Sequence, residues 1–373
     1  MASRQRQWLG VGAGMVLVVL IAAWWLSRAG ASAVAPSTVA DSDAGLPETA
    51  RPPPSMEPLR TGANSRAEAN DGGAPSSPAG VEVIASFGWG SGPDDLGRER
   101  QQEGNPEGPM SFALGPDGTL WVLDQVNQRL VKLDAKGGRL GTVALPVQAA
   151  QDVVVTKDGS ALVMDRLVDK AVAVIGPDGK PRGELPLEGK GLGEGGASTG
   201  LFEDGDDVLV EREHGDLVRV GKTSGKADPE RGEVPGRPSK DGANYLTAML
   251  VDAPSGLVAL TAVAKATLAH RFTRQVSFGG PVLSLVLLDS DASGLAYLGA
   301  QREVAGSTPE APRLGIVVLC LDGTDGRPLG QAAFPANAVP EESFRELAVS
   351  GDGTIVFLRR TEQGAQLERH RCR

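Results

Sequence analysis

Oxygen-bearing side chains dominate the chemistry open to this sequence. Asn105, Glu107, Asp124, Asn127, Asp152, Asp165 and Glu211 are carboxylates and amides of the kind that hold a hard cation when folding brings several together. Asp124 and Asp165, however, recur 41 residues apart at the same place in a repeat. Each is therefore expected to cap a turn by accepting backbone N–H groups two residues on, not to bind metal. Glu203-Asp204-Gly205-Asp206-Asp207 lacks the alternating ligand spacing and distal Glu of a calcium loop and reads as an acidic hairpin. His214, His270 and His370 lie far apart without ligand spacing, and Cys320 and Cys372 form no CxxC pair, so no zinc site is expected. There is no Gly-x-Ser-x-Gly elbow, and the Gly-rich stretch 189–196 has no strand–turn–helix around it. No catalytic set and no cofactor emerges, and the chain is not expected to be an enzyme.

The elements that would position these groups come from a repeat. Gly108–Pro146 aligns with Ala149–Leu187: Asp117-Gly118 matches Asp158-Gly159, and Gly141 matches Gly183. Each unit reads as an apolar run, an Asp-Gly turn, an apolar run ending in Asp, a polar turn, an alternating run, a second Gly turn and a last strand. Asp-Gly and Gly-Gly steps supply the positive φ of tight hairpins, and Val- and Leu-rich runs of this length make strands. Four short strands in about 40–50 residues is the period of a propeller blade. Four looser units follow, from Leu201, Leu246, Pro281 and Phe344, and the last stops after three strands. Its fourth is expected from the other end of the chain, as Val81–Phe87, closing the ring and removing exposed edges. The fold expected is all-β, a six-bladed β-propeller over 81–373.

The first unit resembles the NHL-repeat family. Phe87, Gly88, Pro109, Asp117, Gly118, Val122, Asp124, Asn127 and Arg129 hold that pattern's places; the second unit keeps Asp158-Gly159 and Asp165 but has Val168-Asp169-Lys170 where Asn-x-Arg would stand. The resemblance covers about two of six blades. It implies a six-bladed propeller used mostly as a binding scaffold and in some members as a calcium-dependent lactonase or esterase.

Residues 1–28 read as a cytoplasmic tip and membrane anchor. The run 8–26 carries no charge and, as a helix rising ~1.5 Å per residue, reaches roughly the hydrocarbon thickness. Arg4 and Arg6 precede it and Trp8, Trp24 and Trp25 mark its edges, which favours an N-terminus in the cytoplasm and the remainder outside it. The alternative is a signal peptide cleaved near Ala33, after Ala31-Ser32-Ala33. Gly10 and Gly14 form a GxxxG pair, a weak basis for homo-association. Residues 29–80 hold eight prolines and almost no large apolar side chain, so they are expected to be a disordered tether spanning about 40 Å.

Hydrophobic residues at 40% permit a core, built from Val, Leu, Ala and Ile since aromatics are only 4%. A net charge of −10 argues against a nucleic-acid partner. Long polar loops, Trp89–Pro109, Glu188–Thr199, Ser224–Gly242 and Glu303–Leu314, are expected on one face of the ring, where recognition residues concentrate. With the hairpin at Arg212–His214 they hold the candidate partner-binding residues Trp89, Arg98, Arg100, Asn105, Glu107, Arg212, His214, Arg231, Arg237 and Lys240. The function expected is a protein-interaction scaffold, with envelope proteins as partners, in a bacterial-type envelope assembly such as secretion, pilus or motility machinery. The alternative is a divergent periplasmic calcium-dependent hydrolase or sugar-binding sensor. For Cys320 and Cys372, on third strands of the fifth and sixth units, two readings stay open: a disulfide tying down the C-terminal strand, or a small buried apolar residue and a free terminal thiol.

Overall fold

The computed structural model describes residues 81–304, 307 and 313–372. The chain runs β1 (Glu82–Trp89), β2 (Asp95–Leu96), β3 (Ser111–Leu114), β4 (Leu120–Asp124), β5 (Arg129–Leu133), β6 (Arg139–Ala144), β7 (Asp152–Val155), β8 (Ala161–Asp165), β9 (Ala171–Ile175) and β10 (Pro181–Pro186). It continues with β11 (Ser198–Asp204), β12 (Asp207–Arg212), β13 (Leu217–Lys222), β14 (Glu233–Val234), β15 (Arg237–Pro238), β16 (Asn244–Asp252), β17 (Leu257–Ala264) and β18 (His270–Ser277). The last seven are β19 (Val282–Ser290), β20 (Ala296–Glu303), β21 (Leu314–Leu321), β22 (Pro328–Pro335), β23 (Leu347–Val349), β24 (Ile355–Thr361) and β25 (Gly364–His370). Among the described residues no helix is long and apolar enough to cross a membrane. The segment 8–26, the Gly10/Gly14 pair, the linker 29–80 and the cleavage site at Ala33 lie outside them.

Six antiparallel sheets of sequential strands form the blades of a β-propeller: β3–β6, β7–β10, β11–β14, β15–β18, β19–β22, and β23-β24-β25 with β1. The Asp-Gly turns behave as the repeat requires. Gly118 and Gly159 both sit at φ +79, a left-handed conformation that a side chain would strain. In the sixth blade β1 lies antiparallel beside β25, with Glu82 opposite Arg369 and Phe87 opposite Ala365. The N-terminal strand thus supplies the outermost strand of the blade made by the C-terminus. β2 adds a short parallel edge to β1.

Five apolar clusters each fill one seam between neighbouring blades. Trp121 and Leu130 meet Val153 and Val163 between the first and second, and Phe87 and Leu367 meet Phe112 and Val131 between the sixth and first. Others fill the second–third, fourth–fifth and fifth–sixth seams. The third–fourth seam is joined by polar contacts: Tyr245 Oη donates to Asp204 Oδ2 at 3.2 Å, Lys265 pairs with Asp204, and Arg237 pairs with Glu211. Beside that carboxylate, and mainly through burial, the Tyr245 phenol is pushed up to about 12.

The segment 224–242 differs from its expected form as one long loop. It contains β14, the outer strand of the third blade, and β15, the inner strand of the fourth. Both are two residues long because Pro235-Gly236 and Pro238 interrupt the ladder, proline having no N–H to donate.

Cys320 and Cys372 are disulfide-bonded across the fifth–sixth seam, with Cα atoms 6.3 Å apart and a separation of 52 positions in sequence. Closing a loop of that length removes unfolded-state entropy worth about 4 kcal/mol at most. Reduction under native conditions is expected to lower the urea midpoint accordingly. Two reactive thiols per chain in denatured, unreduced protein would show that the bond does not form.

Candidate functional site

The channel and the face carrying the connections between blades form the candidate site. A cavity of about 1960 Å³ occupies the ring centre, lined from all six blades by residues including Phe112, Val153, Leu201, Arg237, Leu287 and Leu347. Its polar wall is built from ion pairs between blades. Asp152, fully buried, accepts from Ser111 Oγ at 2.6 Å, from the Leu201 and Val153 amides at 3.0 and 2.9 Å, and from Arg345 Nε and Nη2 at 3.1 and 2.7 Å. Arg345 also donates to the Leu201 carbonyl at 2.7 Å, so one side chain joins the sixth, second and third blades. Burial disfavours its charge, but Asp152 first, then Asp289 and Glu211, outweigh that and raise its pKa. Arg237 binds Glu211 with Nε and Nη2 at 2.8 and 3.0 Å. The two guanidiniums, Arg237 and Arg345, lie 4.9 and 5.5 Å from the Phe202 ring. Asp152 and Glu211 are thus spoken for by guanidiniums.

The repeated aspartates do two different things. Asp165 accepts from the Leu167 and Val168 amides at 3.1 and 2.9 Å, the expected cap, and also from Ala149 N. Asp124 instead accepts from the distant Gly97 amide at 2.7 Å, from Asn127 Nδ2 and from Arg129 Nε. Asn127 and Arg129 reach on to the carbonyls of Gly90, Gly92 and Asp95. The motif residues of the first unit therefore clasp the turn that follows β1.

The candidate partner-binding residues do not form one patch. Trp89 Nε1 donates to the Thr361 carbonyl at 3.0 Å, and Arg98 stacks over the Trp89 ring at 4.9 Å. Arg98 and Arg100 both pair with Glu362, and Arg100 with the buried Glu341 at 2.6 Å. Burial pushes Glu341 up, but the Arg100 hydrogen bond and charge bring it below the ordinary carboxylate range. These three residues bind the 90–110 loop onto the sixth blade. Asn105 and Glu107 are exposed on the same loop, where Glu107 and Glu99 exchange backbone hydrogen bonds at 2.8 Å. Arg212 donates to the Gly191 carbonyl at 2.5 Å and pairs with Glu233, while His214 is exposed at the mouth.

Two residues correct the expectation. Arg231 is only 7% exposed and donates to the carbonyls of Pro186, Leu187 and Glu188, so it is an internal brace. Lys240 lies in the β15–β16 turn, on the opposite face of the ring, and pairs with Asp289. Both changes follow from the strands hidden in 224–242.

The histidines stay apart. His270 contacts Thr273, and His370 is buried between the Phe334 ring and Glu368. The acidic run 203–207 is the β11–β12 hairpin, and 189–196 is a loop ending in a one-turn 3₁₀ helix at Gly195–Ala197. Among the described residues no group of three or more His, Cys, Asp or Glu side chains converges as a metal site.

Glu346 is a wall residue that sequence reading missed. It accepts from Asn337 Nδ2 at 2.7 Å, yet burial outweighs that bond and raises its pKa. An acid raised by folding contributes stability fully below its unfolded pKa of ~4.3, and loses it as pH rises through the folded value. Glu346→Gln is therefore expected to raise the neutral-pH melting temperature, with the gain vanishing by about pH 4. An equal gain at both pH values would contradict the assignment.

No family model matches the sequence, and no curated protein matches it. Solved structures similar to the chain include U3-55K (TM-score 0.47, 10% identity, 80% of this chain and 100% of that one). Streptogramin B lyase gives 0.42, 11% identity and 79% and 98% coverage. The C-terminal WD40 domain of Sif2 gives 0.42, 14% identity and 74% and 84% coverage. Likeness at this level says nothing of ligand or activity.

Proposed function

We propose that this protein is a membrane-anchored, extracytoplasmic propeller that acts as a protein-interaction scaffold in a bacterial-type envelope assembly. Residues 1–28 are its anchor and 29–80 its tether, and secretion, pilus and motility machines are the settings that fit such a topology. The observation that carries the reading is the bracing of the loop face. The 90–110 loop is bound to the sixth blade through Trp89, Arg98 and Arg100, and the 187–197 and 223–236 loops are bound together through Arg231. A surface held in one shape loses little entropy on binding, which favours recognition of a folded partner. The clasp made by Asp124, Asn127 and Arg129 gives the NHL-like residues a structural role and supports that kinship over the first blade.

Alkaline phosphatase fused after Arg373 is expected to be active, and carbonate is expected to leave the protein in membranes. A soluble product starting near Val34 would contradict the anchor. A crosslinked pull-down of the full chain is expected to recover a stoichiometric protein partner. Stoichiometric calcium in the purified chain, without such a partner, would favour the hydrolase or sensor instead.

A further inference from the structure

The third–fourth seam leaves backbone and apolar surface together. β15 pairs with β16 only at Tyr245 and Leu246, and Gly236 is the last residue to lie against the Leu246 carbonyl before the chain turns away to β14. From Thr247 to Asp252, β16 has no strand on its inner side among the described residues. In the β16–β17 register, Leu246 bonds inward to β15, so Ala248 and Leu250 direct their N–H and C=O groups inward too. Both residues line the central cavity.

The side chains agree with the backbone. Ala248 and Leu250 pack toward the fifth blade, whereas Met249 and Val251 point the other way and are 65% and 43% exposed. The five other seams hold an apolar cluster where this one does not. Leu283, at the start of the neighbouring inner strand, is 51% exposed. Edges of this kind are ordinarily covered or charged, because they recruit strands.

We infer that β16 is a docking edge for an extended segment of a partner protein, which adds beside Thr247–Asp252 as the missing upper half of the fourth blade's inner strand. This rests on the scaffold reading and names its surface. The chemistry of the segment follows from what it meets. Its backbone must be extended, to bond Ala248 and Leu250. Alternate side chains must be apolar, to cover Met249 and Val251. The residues that flank it at the loop-face end are cationic. The six acids and six bases of residues 1–80 cancel, so the whole charge of −10 belongs to 81–373, and Asp252 at the end of the edge and Glu213 on the hairpin of the third blade have no ion pair among the described residues.

The test uses the full chain in detergent and a short synthetic peptide of valine and threonine flanked by lysines. Saturable binding by anisotropy is expected, together with slowed amide exchange across 247–252. N-methylation of the peptide's alternate amides and glutamate in place of lysine should each weaken binding at least tenfold. Met249→Lys should do the same, while Leu140→Lys, at an exposed position on the outer strand of the first blade, should not. No saturable binding, equal binding of the N-methylated peptide, or protection elsewhere than 247–252 would overturn the proposal. If those arms fail while the full chain still crosslinks a partner equally with Met249 or Lys at 249, the docking edge is wrong and the scaffold reading stands.

Discussion

Replacing Arg345 with methionine is expected to destabilise the propeller by about 3–5 kcal/mol, the usual cost of stranding one member of a buried ion pair. Asp152 is fully buried and would keep only Ser111 Oγ and the Val153 and Leu201 amides as donors. Losing Arg345 also frees the Leu201 carbonyl, so the sixth blade keeps only the packing of Phe344 and the Arg166–Glu342 pair as links to the second and third. The double variant Asp152→Asn with Arg345→Met should recover a substantial part of the loss, because no uncompensated charge remains. Urea unfolding of the four proteins of this cycle measures the coupling. Additive effects would show that the pair is not a unit.

Removing β1 is expected to have a still broader effect. A chain starting at residue 81 should unfold cooperatively, while one starting at residue 91 should lose cooperativity or aggregate. Deletion takes away Phe87, which packs with Leu96, Phe112 and Leu367, and leaves β25 as an unpaired edge. Truncating one buried Phe alone typically costs about 3–5 kcal/mol. It also removes Trp89, and with it the hydrogen bond to the Thr361 carbonyl. Matching melting curves for the two lengths would contradict ring closure by this strand.

What the sequence discloses and what it conceals divide along range of interaction. Asp117-Gly118 and Asp158-Gly159 announce their hairpins because positive φ at glycine is a local requirement. The closing strand is legible because the last unit stops after three strands while an unpaired apolar run, Val81–Phe87, precedes the first unit. β14 and β15 are hidden because two residues flanked by prolines carry no alternation. The site is less legible. Arg345 and Asp152 are 193 positions apart, and Trp89, Arg98 and Arg100 find their partners at the other end of the chain. Residue type marks those three out, but type cannot tell an anchor for a partner from a brace. Met249 and Val251 escaped notice for a different reason. Apolar residues on both faces of β16 read as a strand buried on both sides, and only the shortness of its neighbours leaves one face open.

The scaffold reading is tested most directly by site-specific photocrosslinking of the full-length protein in its own cells. A photoreactive side chain at Glu99 or Glu213 samples the loop face, and one at Lys157 or Asp241 samples the opposite face, all four being exposed. The account predicts a discrete protein adduct from the loop-face positions and none from the other two. Adducts confined to the opposite face, or none from any position, would contradict it.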